Sequence, residues 1–226
     1  METQLSTQFD LDNINKDTSD LYIKGSEIRD FSILINLKKL TKLELLSTKY
    51  FDFSLIENMK NLTSLRLNGI TTITNLDFLK SLTNLTELIL ETPASWDGSG
   101  KTVVYNSLSS LSKCEKLKSI KMFDIQFLED GLKPLYGIKS LKEIVTRNTF
   151  LTYEFAKLEL NRPDIVCKYA KPYFQHHLEF YKCKKCNEFK IEFSGVDLKR
   201  RVFCKKCNLK KIEELTKRYY EIQISE

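Results

Sequence analysis

Four cysteines in the last quarter of the chain carry its clearest chemistry. Cys183-x-x-Cys186 and Cys204-x-x-Cys207 are two knuckles separated by 17 residues, inside the spacing of a four-cysteine metal site. Two intervening residues let both thiolates of a knuckle reach one tetrahedral ion. A closed set of four then leaves no position for a catalytic water. The expected cofactor is one structural Zn²⁺ held by Cys183, Cys186, Cys204 and Cys207. The competing arrangement, two disulfides, needs an oxidising compartment, and no apolar signal segment near Met1 points to one. The other two cysteines, Cys114 and Cys167, read as buried small hydrophobes. His176 and His177 read as linker surface, and the ligand set is too small for a two-metal RING.

The knuckles must be positioned by what lies around them. Phe189-Lys190-Ile191-Glu192-Phe193 alternates like a strand, and Arg201-Val202-Phe203 reads as its return. After Cys207 an amphipathic helix carries Leu209, Ile212, Leu215 and Tyr219 on one face. Knuckle, hairpin, knuckle and helix together resemble a treble-clef or zinc-ribbon finger, an α+β domain assigned to residues 176–226. So small a domain needs a metal staple, because its apolar core barely offsets the chain entropy. From residue 176 onward there are 13 Lys or Arg against 8 Asp or Glu, a formal +5. A bound Zn²⁺ with four thiolates lowers this to roughly +3. Lys184, Lys185, Lys205 and Lys206 sit in the knuckles, and Lys199, Arg200 and Arg201 in the hairpin. Such a patch can hold phosphates, and Phe203, Tyr219 or Tyr220 could stack on a base. The plainer reading is a solvated face around a structural site.

Upstream, a leucine period organises the chain. Leu43-x-Leu45, Leu65-x-Leu67 and Leu88-x-Leu90 return every 22 to 23 residues, each preceded by Leu40, Leu62 or Leu85. Leu21-x-Ile23 begins the series, and Leu117-x-x-Ile120-x-Met122 and Leu141-x-x-Ile144 continue it. This frame is similar to that of the leucine-rich repeat family, over about residues 18–175. Asn61-Leu62-Thr63-Ser64-Leu65-Arg66-Leu67-Asn68-Gly69-Ile70 resembles its short bacterial, internalin-like class, although the asparagine after the strand is clear only at Asn68. The resemblance implies an α/β solenoid over residues 1–175, with a curved parallel sheet on its concave side and short helical turns on its convex side. A repeat cannot bury its apolar edge alone, so neighbours stack and offer one long surface to a partner. Ile28–Leu37 and Leu76–Leu82 carry the apolar spacing of convex turns. Phe9, Leu11 and Ile14, among acidic and amide residues, suit an N-terminal cap. A final strand is expected near Ile165–Tyr169, giving about seven turns.

Strand alternation sorts the side chains. Leu65 and Leu67 face inward, while Ser64, Arg66 and Asn68 face outward. One outward column holds Tyr22, Glu44, Arg66, Ile89, Lys121 and Val145. The next holds Lys24, Leu46, Asn68, Glu91, Phe123 and Arg147. Most are polar and of mixed sign, which argues against a polyanion lying in the groove. Ile89, Phe123 and Val145 are apolar on consecutive turns, as partner surfaces are. Leu88 to Ile120 spans 32 residues, about ten more than its neighbours. The excess, Thr92–Lys101, reads as a loop carrying the chain's only tryptophan, Trp96, a candidate anchor. Gly100-Lys101-Thr102 lacks the first glycine of a phosphate-cradling loop, where Ser95 stands, and is rejected as a nucleotide site.

Composition sets the outer bounds. The 226 residues are 42% hydrophobic and 29% charged, with a formal charge of +6, those of an ordinary soluble chain with one large and one small domain. No stretch approaches the length of a membrane span, and paired thiols without a leader point to the cytoplasm. No nucleophile–base or paired-carboxylate constellation is recognisable. The reading is a non-enzymatic, monomeric scaffold without a small-molecule substrate. It grips an unidentified protein through Arg66, Ile89, Trp96, Lys121, Phe123, Val145 and Arg147. The alternative is a nucleic-acid-associated adaptor working through the basic finger.

Overall fold

The computed structural model describes residues 3–25, 27–92 and 102–225. Trp96 and nearly all of the Thr92–Lys101 insertion lie outside them. The chain forms two compact units, Met1–Val145 and Thr146–Glu226.

The first unit is the solenoid. Its strands are β1 (Thr3–Leu5), β2 (Asp20–Lys24), β3 (Lys42–Leu46), β4 (Ser64–Asn68), β5 (Glu87–Glu91), β6 (Val103–Tyr105), β7 (Ser119–Phe123), β8 (Ile125–Phe127) and β9 (Glu143–Thr146). Seven of these form one sheet in the order β1-β2-β3-β4-β5-β7-β9. Leu21, Leu43, Leu65, Leu88 and Ile120 stand in one parallel register, and Ile23, Leu45, Leu67, Leu90 and Met122 in another. All ten are almost fully buried. The register passes from β5 to β7 unshifted, so the insertion leaves the ladder intact. Thr41, Thr63 and Thr86 each donate a hydroxyl hydrogen bond to a carbonyl of the preceding repeat, at Ser19, Thr41 and Thr63. Each repeat is thus tied to its neighbour just before its strand begins.

Convex turns at Ser32–Asn36, Phe53–Asn58, Asp77–Ser81, Ser109–Lys113 and Lys133–Gly137 are single 3₁₀ segments. Each is closed by i→i+3 bonds such as Leu34 N to Phe31 O. Phe31, Phe51, Phe53 and Phe78 form an aromatic file with ring centroids 4.9 to 5.1 Å apart. It fills the space after the strands and was not legible from the leucine frame. The cap begins with β1, parallel to β2, followed by α1 (Gln8–Asp12). Gln8 accepts from the amides of Arg29 and Asp30 and donates to the Asp30 carbonyl. Leu11 is buried, whereas Phe9 is exposed.

Past the insertion, β6 pairs in parallel with β8 as a second small ladder. Tyr105 is buried there and donates to the Ile70 carbonyl. Neither strand is visible in the leucine frame, because each has only three residues.

The second unit contains α2 (Thr152–Asn161), β10 (Tyr173–Gln175), β11 (Lys190–Phe193), β12 (Val202–Cys204) and α3 (Leu209–Ile224). The strand expected at Ile165–Tyr169 is reduced to a single bridge residue, Val166. That segment is a pair of turns closed by Ile165 N to Arg162 O and Ala170 N to Cys167 O. The unit also starts well before the expected boundary at residue 176, because residues 146–175 pack with the finger. Helix α2 lies against α3, where Gln223 donates to Glu159 and Lys157 to the Gln223 carbonyl. Asn148 donates to Glu192 and to the Phe193 carbonyl and accepts from the Gly195 amide. The Thr152 hydroxyl reaches the Ser194 carbonyl and Asp197. This clamp joins the chain before α2 to the hairpin turn.

Candidate functional site

The four knuckle cysteines converge. Their Sγ atoms all lie within 4.8 Å of one another. Cys186 and Cys204 are 3.4 Å apart, Cys186 and Cys207 3.6 Å, and Cys183 and Cys207 3.9 Å. A tetrahedral ion with metal–sulfur bonds of about 2.3 Å requires sulfur–sulfur edges of about 3.8 Å. Disulfides would require about 2.05 Å. The donor set therefore fits a metal and not a pair of cystines.

Backbone geometry builds each knuckle. Cys183 donates to the Glu188 carbonyl and accepts from the Asn187 amide, both at 2.8 Å, while Asn187 takes a left-handed φ of 61°. The second knuckle sits at the start of α3. There Cys204 N donates to Asn208 Oδ1, Asn208 N donates to the Cys204 carbonyl, and the Asn208 carbonyl opens the helix by accepting from Ile212 N. The amides of Lys185 and Cys186 turned toward the first sulfur bring the Cys183 thiol down to about 6. Crowding by the sulfurs of Cys186 and Cys204 pushes the Cys207 thiol up to about 12. Four sulfurs packed this closely ionise together only around a cation.

Asn187 and Asn208 are positioning residues that the cysteine spacing did not single out. The signal was present: both knuckles read Cys-Lys-Lys-Cys-Asn. Asparagine tolerates the left-handed conformation and can bond its own knuckle backbone.

The expected hairpin forms, with Ile191 opposite Phe203 and β10 adding a third antiparallel strand. Ile191, Phe193, Phe203, Ile212 and Leu215 make one core, and Tyr219 is buried on the same helix. Leu209 departs from the expected apolar face and is exposed, because it opens the helix beside the knuckle. His176 is likewise no linker residue. Its ring stacks on Tyr181 at 3.4 Å and bonds Glu192 at 3.1 Å, whereas His177 is exposed. Cys114 and Cys167 lie outside the cluster, and burial pushes the Cys114 thiol up to about 11 and the Cys167 thiol up as well. Burial also removes Phe203 and Tyr219 as stacking platforms and leaves Tyr220 accessible.

On the sheet face, Tyr22, Glu44, Arg66, Ile89 and Lys121 align residue for residue, as do Lys24, Leu46, Asn68, Glu91 and Phe123. Glu44, Arg66, Glu91 and Lys121 are already paired. Arg66 bridges Glu91 at 2.6 Å and Glu44 at 3.3 Å, and Asn68 joins it on the same Glu91 carboxylate. Lys121 bonds Glu87 at 2.7 Å and, with Ser64, holds that carboxyl below its ordinary range. Ile89, Phe123 and Val145 are half-buried. Arg147 belongs to the second compact unit and is exposed.

These features define a leucine-rich repeat solenoid joined to a compact four-cysteine unit of treble-clef order. Among solved structures, the chain is similar to internalin C2 of Listeria monocytogenes, at 20% identity and a TM-score of 0.45, over 65% of this chain and 59% of that one. It is also similar to a second internalin from that organism, at 19% identity and a TM-score of 0.42, over 65% of this chain and 46% of that one. The chain thus spans about half the length of these structures. No family model and no curated protein matches it.

Proposed function

We propose that this chain is a non-enzymatic scaffold that binds a protein through the concave face of its solenoid. The observation that carries the reading is the contrast among neighbouring side chains on that face. Arg66 and Lys121 are neutralised within the sheet, whereas Ile89, Phe123 and Val145 keep part of their apolar surface in water. Burying such a patch inside a polar rim is how interfaces gain their central energy. The internal ion pairs hold the rim in shape and add little adhesion themselves.

Phe123→Glu is expected to weaken capture of the partner about thirtyfold or more, as loss of a central anchor does. Affinity capture from a host lysate, with and without nuclease, checks this. A defined protein retained through nuclease and lost in the variant supports the reading. Recovery that collapses with nuclease and ignores Phe123→Glu overturns the reading and assigns the work to a nucleic-acid contact instead.

In this reading the four-cysteine centre holds one structural Zn²⁺, which four thiolates select over harder ions. It acts in a reducing compartment such as the cytoplasm, where the thiols stay available. Elemental analysis of the purified chain is expected to give about one zinc per molecule, released when a mercurial titrates the thiols. A ratio near zero, or iron in its place, defeats the assignment. The second reading, phosphate contact by the finger, draws on exposed Lys184, Lys185, Lys199, Arg200, Lys205 and Lys206. Arg201 is set apart, since it faces Glu192 and donates to the Asn148 carbonyl.

A further inference from the structure

The solenoid unit is nearly neutral, with 18 Lys or Arg against 19 Asp or Glu over residues 1–145, yet its charge is not spread evenly. The turns that lead into the strands (14–19, 37–41, 59–63, 82–86, 114–118 and 138–142) hold eight lysines against two acids. The loops that leave the strands (25–31, 47–52, 69–77 and 124–132) hold two basic residues against seven acids. Parallel strands put every leading turn on one long edge of the sheet and every trailing loop on the other. The repeat therefore builds one basic edge and one acidic edge.

The basic edge is also shaped. An open furrow of about 650 Å³ is lined by Lys80, Thr83, Asn84, Lys113, Glu115 and Lys116. A second, of about 450 Å³, shares Asn84 and Lys116 with it and runs on to Lys38, Lys39, Asn61 and Thr63. The five turns from 37–41 to 138–142, at the strand spacing of about 4.8 Å, make this stretch of the edge roughly 19 Å long. Some of its lysines are already engaged: Lys39 pairs with Asp17, and Lys116 bonds Asn84. Among the described residues, Lys60, Lys113, Lys118 and Lys139 are exposed and pair with no carboxylate.

We infer that this edge is a docking surface for the phosphate backbone of double-stranded nucleic acid. The chemistry selects among polyanions. Lysines are compact cations that neutralise phosphates without a fixed geometry. Thr83, exposed in the first furrow, adds a hydroxyl of the kind that shares such contacts, whereas Thr41, Thr63, Thr86, Asn61 and Asn84 bond backbone carbonyls of the preceding repeat and hold the edge in shape. No aromatic residue occurs in the leading turns, so unstacked bases find no platform there and an intact duplex is preferred. The buried leucines of those turns leave no apolar anchor for a bilayer and no socket for a peptide side chain. A duplex carries one charge per about 1.7 Å of axis, so an edge of this length meets several phosphates at once. The surface shares no residue with the concave patch or with the finger, and the inference rests on neither reading of them.

The test uses the full chain, a labelled DNA duplex of about 24 base pairs with arbitrary sequence, and anisotropy between about 50 and 200 mM salt. The edge variant combines Lys38→Gln, Lys60→Gln, Lys113→Gln and Lys139→Gln. The finger variant combines Lys184→Gln, Lys185→Gln, Lys205→Gln and Lys206→Gln. All eight sites are exposed, and unchanged thermal midpoints confirm that the variants remain folded. Wild type is expected to bind with a steep salt dependence. The edge variant should lose about tenfold or more in affinity at low salt, with its log–log slope flattened by about 3. The finger variant and Phe123→Glu should keep the wild-type slope to within about 1. The inference is overturned if wild type ignores the duplex, or if the finger variant alone loses binding. Binding to phosphatidylserine–phosphatidylcholine vesicles with none to the duplex also overturns it, and assigns the edge to membranes.

Discussion

Replacing Cys204 with serine is expected to unfold residues 146–226 and leave the leucine-rich repeats folded. Cys204 is buried and supplies one corner of the sulfur cluster. It also anchors β12 and starts the turn into α3 through its bonds with Asn208. Structural zinc contributes on the order of 10–16 kcal/mol to small finger domains, far more than a unit of this size retains by packing alone. Circular dichroism should show loss of most helical signal, because among the described residues α2 and α3 hold all the α-helix except the short α1. The solenoid's cooperative transition in urea should keep its midpoint to within a few tenths of a molar. A single transition in which both units melt together would contradict the proposal, as would a variant that keeps full helical signal after chelation.

The second large effect is expected at Gly195. Its φ is +107°, a region that L side chains rarely adopt, and it is buried in the turn after β11. A methyl group there would lie 2.0 Å from Thr152 Oγ1, 2.5 Å from Thr152 N and 2.7 Å from its Cα. Two of those atoms are backbone, so no rotamer change relieves the clash. Gly195→Ala should cost about 3–5 kcal/mol, combining overpacking with the backbone penalty. The displaced segment carries the Asn148 and Thr152 bonds that join 146–152 to 192–197, so loss should spread across the whole second unit. Urea denaturation followed by far-ultraviolet dichroism measures it. A change below about 1 kcal/mol would show that the turn can move away from Thr152 without consequence.

Both sites show what the amino-acid order discloses and what it conceals. The leucine frame placed the buried faces of β2, β3, β4, β5, β7 and β9, because a period near 22 residues and a strand alternation of two are local properties. The cysteine knuckles were legible for the same reason, since metal geometry is written into a fixed spacing. Gly195 carried no local signal: its conformation is required by Thr152, more than forty residues away. The strand expected at Ile165–Tyr169 shrank to one bridge residue, Val166, because apolar alternation also suits side chains buried from a turn. The start of the second unit was hidden by hydrogen bonds from Asn148 and Thr152, which no periodicity marks. The paired charges on the sheet face were visible as columns, but not as bonds, because pairing depends on rotamers across strands. Trp96 and most of its loop lie outside the described residues.

The unshifted step from β5 to β7 has a consequence for how such a chain can change. An extra stretch between two rungs neither rotates nor delays the next rung, because hydrogen bonding is settled strand by strand. Loop length at that place is thus uncoupled from the alignment of every later repeat. New segments can be lengthened, shortened or exchanged after Thr92, which itself bonds Phe123, Asp124 and Val103, while Leu88 still faces Ile120. Variation is inexpensive there and costly one rung to either side, so this is where lineages carrying this scaffold should diverge first.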